Sequence, residues 1–160
     1  MPWRILTMPL YNMVESIADN CRDSVWPVVG SVLYCDLAFG YMEHSGIYIG
    51  NREIVHLSGK GKIEIVSPKQ FIDGGTACNI YVSCRDIRSV GLANVARRAK
   101  EMVGASRNYN FIIDNCHQFS AGCLTGDFKN SNNFLWMLKD ESAKNIGSNS
   151  WRHSSIKLFE

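Results

Sequence analysis

No run of apolar residues in this sequence approaches the ~18 that a helix needs to cross a bilayer, so no transmembrane helix is expected. Charge of neither sign dominates. Lys and Arg number 17 against 15 Asp and Glu, a formal net charge of +2, which leaves no electrostatic footprint for nucleic acid. The stretch Met1 to Leu10 has no long apolar core followed by small residues, so no secretory signal is read there. Pro2 after Met1 excludes N-myristoylation, and the ending Lys157-Leu158-Phe159-Glu160 is not a prenylation box. Internal repeats, low-complexity tracts and linkers are also missing. The reading is one domain, residues 1–160, with a single core.

Spacing of the type C-x-x-C is absent too, which removes the usual zinc and redox signatures. The six cysteines are Cys21, Cys35, Cys78, Cys84, Cys116 and Cys123. Without an export signal they read as reduced thiols in a cytoplasm-like compartment, most of them buried as small hydrophobes. The remaining composition, 46% hydrophobic and 20% charged, is that of a globular chain.

Leu10, Met13, Val14, Ile17, Ala18 and Cys21 lie on one helical face, so a helix is expected over residues 10–21. Trp26-Pro27 breaks the chain. Strands are expected over Ser31 to Leu37, His44 to Gly50, Glu53 to Leu57, Lys62 to Val66 and Cys78 to Cys84. Pro68 ends the fourth of these. Helical periodicity returns in the stripe Leu92, Val95, Ala96, Ala99, Met102 and Val103, with Gly104 where a C-terminal cap belongs. A second helix should begin at Asn115, where Asn115 and Gln118 have the spacing of a capping box. A third is expected over residues 133–143, followed by a loosely packed polar tail. The order of elements is that of an α+β fold, with helices gathered on one side of an antiparallel sheet.

Cys116 falls one residue past the proposed cap. Unsatisfied amides and the helix dipole concentrate positive potential there, which predicts a lowered thiol pKa. The same amides would hold an oxyanion formed at an attacked carbonyl. A thiolate nucleophile needs an imidazole. His117 points about 100° away from Cys116 on the same helix and reads as a surface or supporting residue. His153 reads as a solvated residue of the tail. His44 and His56 both lie in the hairpin, where an unpartnered imidazole is costly. A three-residue loop Gly50-Asn51-Arg52 puts Ile49 opposite Glu53, Gly46 opposite His56 and His44 opposite Ser58. Both rings then project from one face, whereas a two-residue loop would place them on opposite faces. A triad follows in which Cys116 attacks, His44 shuttles the proton and His56 orients His44. The bland readings stand beside it: hydrogen-bonded core histidines and an inert helix-start cysteine. Asn115, Tyr41 and Tyr48 are the candidate oxyanion or cleft residues, with plain packing the alternative for Tyr48. Glu43 reads as a solvated loop charge. His44, His56 and Cys116 would offer two nitrogens and one sulfur to zinc, but no acid other than Glu43 is read as a supporting residue for such a site near the histidine box. No metal and no cofactor are expected.

The segments GSVLYCDL, EHSGIYIGNREIVHLSG and DNCHQF, in that order, resemble the lecithin:retinol acyltransferase family. That family pairs a histidine box, HxxIYxG…VVHL, with a later NCEHF-like box. It is a circularly permuted branch of the papain-like, NlpC-type thiol hydrolases. The likeness spans about Gly30 to Gly126. By resemblance the family's two histidines fall on His44 and His56 and its nucleophile on Cys116. It implies acyl transfer or hydrolysis of an ester or amide, lipid acyl esters included, through a cysteine thioester. An NlpC-type amidase or peptidase and a non-enzymatic binding module are the alternatives. Two departures stand out: the box reads NCHQF, with His117 and Gln118 in place of an acid and a histidine, and the ending is polar where animal relatives carry an apolar anchor.

Overall fold

The computed structural model describes residues 24–37, 42–73, 79–108 and 115–155. The helix expected over residues 10–21 lies outside them, as do Tyr41, Cys21 and Cys78. The strands are β1 (Val32–Leu37), β2 (Met42–Gly50), β3 (Glu53–Leu57), β4 (Ile63–Val66), β5 (Asn79–Arg85), β6 (Arg88–Ser89) and β7 (Ser150–Ser155). The helices are α1 (Pro68–Phe71), α2 (Ala93–Glu101), α3 (Cys116–Thr125) and α4 (Leu135–Ile146). One sheet runs β4-β3-β2-β1-β5-β6, and β7 pairs with β5. Every pairing is antiparallel, so the α+β class expected from the element order holds.

Alternation along the strands gives the sheet two apolar faces. Val32 and Tyr34 of β1, Ile47 of β2, and Val55 and Leu57 of β3 pack against Val95 and Ala99 of α2, Phe119 and Leu124 of α3, and Leu138 of α4. Leu33 and Cys35 of β1, Tyr48 of β2 and Ile54 of β3 turn the other way and meet Phe71 of α1. The three longer helices therefore share one face, and the short α1 covers part of the other. Residues Cys116 to Leu124 are all buried, so α3 is the central helix of its layer. Cys35, Cys84 and Cys123 are buried, as expected of packing thiols.

The turn after β2 differs from the expected three-residue loop. Asn51 and Arg52 both have positive φ, 52° and 61°, and Gly50 pairs with Glu53, so the turn has two residues. A bulge lies between Tyr48 and Gly50, where Tyr48 pairs with Ile54. The extra residue in β2 offsets the shorter turn. Gly46 consequently faces His56, the register that the longer loop was expected to give.

Other differences lie at boundaries and in the tail. Pro68 does more than end β4: it is the first residue of α1, behind a capping box in which Ser67 and Gln70 satisfy each other's amides. Helix α4 begins at Leu135 and runs to Ile146, later at both ends than expected. The polar tail is not loose. Residues Asn79 to Cys84 of β5 pair one by one with Ser155 to Ser150 of β7, and Trp151 is buried beneath Tyr34. Gly104 has φ +89° and turns the chain two residues after the helix cap Met102, so that its amide donates to Ile63.

Candidate active site

The hairpin register sets the imidazoles. His44 and Gly46 lie on the Phe71 face of β2, and Gly46 opposite His56 leaves room for the second ring. A Cβ on Gly46 would lie 3.0 Å from Cε2 of Phe71 and 2.8 Å from the Val55 carbonyl oxygen. The structure brings the two histidines together: Nε2 of His44 is 2.5 Å from Nδ1 of His56. The Phe71 ring stands 4.8 Å from His44 and 5.9 Å from His56, centroid to centroid, and shields both. On the far side, Nε2 of His56 lies 3.3 Å from Oε1 of Glu64, its partner across the β3–β4 ladder.

This string fixes the protons. A carboxylate only accepts, so His56 carries its hydrogen on Nε2. Neutral His56 then has a bare Nδ1, and His44 donates to it from Nε2. Neutral His44 is left with a lone pair on Nδ1. Burial, helped by the nearby His56 and His117, pushes the His44 pKa down to about 3. His56 is lowered as well, chiefly by burial, with Glu64 working against it. Both rings are neutral at neutral pH, and His44 is a proton acceptor at Nδ1.

Cys116 is the first residue of α3, as the spacing predicted. Asn115 caps the helix, its Oδ1 accepting from the amides of His117 at 2.9 Å and Gln118 at 3.1 Å. Only half of the expected capping box forms. The Gln118 side chain turns away and donates to the carbonyl of Asn130. The Asn115 amide group instead donates to the Asn133 carbonyl at 2.7 Å.

The sulfur corrects the expected electrostatics. Cys116 is 2% exposed, and burial pushes its thiol up to about 11. Hydrogen bonds from the Ser45 amide and hydroxyl and from the His117 amide pull the other way, and the Glu43 charge adds to the rise. Removal from water outweighs the helix N-terminus here. The sulfur lies 3.9 Å from the Glu43 carbonyl oxygen, which accepts from it. Ser45 of β2 meets Ser120 of α3, and His44, its neighbour, meets Phe71.

Glu43 and His117 are also corrected. Glu43 is not a solvated loop charge; it lies in β2 with its side chain 4% exposed. His117 is buried, not superficial, and its Nδ1 lies 2.9 Å from the Ser45 hydroxyl. His153 is not a solvated tail residue; it pairs with Tyr81 in β7. Tyr48 shares the His44 face but packs among Leu33, Ile54 and Phe71, and its hydroxyl accepts from the Arg52 amide at 3.3 Å. Glu64 and Ser45 escaped the sequence reading. Carrying the ladder on through Gly59-Lys60-Gly61 would have found the first, since His56 and Glu64 are paired residues. Among the described residues no group of three or more His, Cys, Asp or Glu side chains is arranged to hold a metal ion. No helix among them is long and apolar enough to cross a membrane.

The family model described as lecithin retinol acyltransferase matches residues 69–129. That stretch runs from α1 to just beyond α3 and contains Cys116, while His44 and His56 precede it. No curated protein gives a significant match to the chain. Over that stretch, 61 of the 160 residues, the chain is similar to the lecithin retinol acyltransferase family.

Proposed function

We propose that this protein transfers acyl groups through a thioester on Cys116, with His44 as the base and His56 as the residue that orients it. The observation that carries the reading is the His44–His56–Glu64 string, with its 2.5 Å and 3.3 Å contacts, which leaves Nδ1 of His44 bare. The match of residues 69–129 to the lecithin retinol acyltransferase family model supports acyl transfer as the reaction class.

In the first step the sulfur leaves the Glu43 carbonyl and turns toward His44. The thiol proton passes to Nδ1 of His44 as sulfur bonds to the carbonyl carbon of an ester or amide. The amides at the start of α3 hold the resulting oxyanion. Collapse returns the His44 proton to the departing oxygen or nitrogen and leaves the thioester. Water or another acceptor, deprotonated by His44, then releases the acyl group. With a thiol near 11 and an imidazole near 3, the resting pair is uncharged, and deprotonation accompanies attack rather than preceding it.

Intact-mass measurement after incubation with activated acyl esters, phospholipids and peptide amides tests this. The expected result is a single acyl adduct in the wild type, none in Cys116→Ala or His44→Ala, and a reduced amount in His56→Gln. The donor that labels best identifies the substrate class. Equal labelling of Cys116→Ala removes the proposal.

A further inference from the structure

The start of α3 is tied to β2 by polar side chains that the His44 string does not include. The Ser45 hydroxyl is 2.9 Å from Nδ1 of His117 and 3.0 Å from the Ser120 hydroxyl. A hydroxyl donates once and still accepts, so Ser45 serves both partners together. His117 and Ser120 stand three residues apart on α3 and so share one side of the helix. The strand therefore grips the helix at two points through one oxygen. Nε2 of His117, on the outer side of the ring, lies 3.9 Å from Oε2 of Glu43, a looser tie. Ser45, His117 and Ser120 are all buried, which keeps bulk water from competing for these bonds.

The order of these residues along the chain gives the cluster its meaning. Ser45 follows His44 on β2, and His117 follows Cys116 on α3. A bond between the two followers fixes the separation of the two residues before them. The β3 ladder on β2 ends at the Gly46–His56 pair, and beyond that end the Cys116 sulfur meets the Glu43 carbonyl. The proposed first step swings this sulfur from that carbonyl to the His44 ring. The swing is productive only while the two backbones hold their distance, because a displacement of about 1 Å in a reacting pair costs on the order of 100-fold in rate.

We infer that Ser45 and His117 are positioning residues, which pin the start of α3 to β2 and so set Cys116 at the distance from which it reaches His44. The inference rests on the roles proposed for Cys116 and His44. No proton leaves the thiol by this route: His44 remains the base and keeps the proton that the leaving group receives. Ser120 holds the same hydroxyl from the next turn of α3. The tie to β2 runs through the inner nitrogen of the His117 ring, and that separates positioning from plain packing. An Asn amide at position 117 falls where Nδ1 lies and restores the bond to Ser45. A Gln amide reaches the Nε2 position instead and misses Ser45.

The test follows acyl-adduct formation on Cys116 across a range of activated acyl ester concentrations, by intact mass, in wild type, Ser45→Ala, His117→Asn and His117→Gln. Ser45→Ala and His117→Gln should slow adduct formation at saturating ester about 100-fold and leave the half-saturating concentration within about twofold. His117→Asn should recover most of the rate, to within about threefold of wild type. Iodoacetamide needs the sulfur but not His44, so it should alkylate all four proteins at rates within about twofold of one another. Equal slowing in His117→Asn and His117→Gln, a wild-type rate in Ser45→Ala, or alkylation that falls in step with adduct formation overturns the inference. A measurement on the wild type alone guards against variants that do not fold. The amides of His117, Gln118 and Phe119 should exchange with solvent as slowly as those of Ile47 and Val55 in the middle of the sheet, whereas a helix start held only by its cap frays and exchanges faster. Faster exchange at those three amides also overturns the inference. If the wild type forms no acyl adduct, the proposed function fails, and the exchange rates still decide whether α3 is pinned to β2.

Discussion

Nε2 of His44 stands 2.5 Å from Nδ1 of His56, so the two rings share a single proton between them. Which ring owns it is decided at a distance, by the Glu64 carboxylate beyond His56. Glu64→Gln removes the charge, and its side-chain amide can donate as well as accept, so His56 is free to take the other tautomer. The Glu64 side chain is 48% exposed, which screens the contact. The variant should therefore slow acyl-adduct formation only ~2- to 5-fold. Nitrogen-15 spectra should show a bare Nδ1 on His44 in the wild type and a mixture in Glu64→Gln. A protonated Nδ1 in the wild type contradicts the assignment of His44 as the base.

The same burial makes the fold sensitive to acid. His44 has a folded-state pKa lowered from 6.5 to about 3, and His56 is lowered too. Between about pH 6.5 and pH 3 the unfolded chain binds protons that the folded chain refuses. Stability therefore rises with pH across that window and is lost as pH falls through it. Urea midpoints should drop steadily from pH 7 to pH 4.5 in the wild type and fall less in His44→Gln. Parallel pH slopes for the two proteins would mean that the imidazole pair is not the acid-sensitive element.

The legible parts of this molecule are those where local pattern and tertiary role coincide. Alternation in β2 and β3 fixed which side chains share a face, and the Glu53–Leu57 strand has the bounds that its residues predict. The cap at Asn115 and the start of α3 follow from local hydrogen-bonding chemistry alone. Burial was not legible. Nothing in the NCHQF string says that the whole of α3 is enclosed, and that enclosure reverses the expected direction of the Cys116 pKa. Glu43 and His117 were misread for the same reason. A charged or polar residue is taken as solvated until the packing layer above it is known. Strand β7 escaped because Ser150 to Ser155 alternates weakly, and its pairing with β5 is a long-range event. The hairpin turn shows two errors in the sequence reading that cancel, since the bulge near Ile49 compensates for the shorter turn.

Asn115 separates the two contributions that a helix start makes to this site, the fold of the helix and the charge around the sulfur. Asn115→Ala leaves the amides of His117 and Gln118 without their acceptor and should cost about 1 kcal/mol in stability. Asn115→Asp keeps that acceptor and places a negative charge where the helix dipole favours one. It also loses the donor to Asn133 and sets a carboxylate beside Cys116, whose thiolate it opposes. The Asp variant should therefore melt above the Ala variant yet form the thioester more slowly, by about tenfold for each unit by which the thiol pKa rises. Thermal melts and adduct kinetics on the same two preparations check both halves. If the Asp variant is the faster enzyme, charge at the start of α3 does not govern Cys116, and the chemistry proposed for its sulfur loses its electrostatic basis.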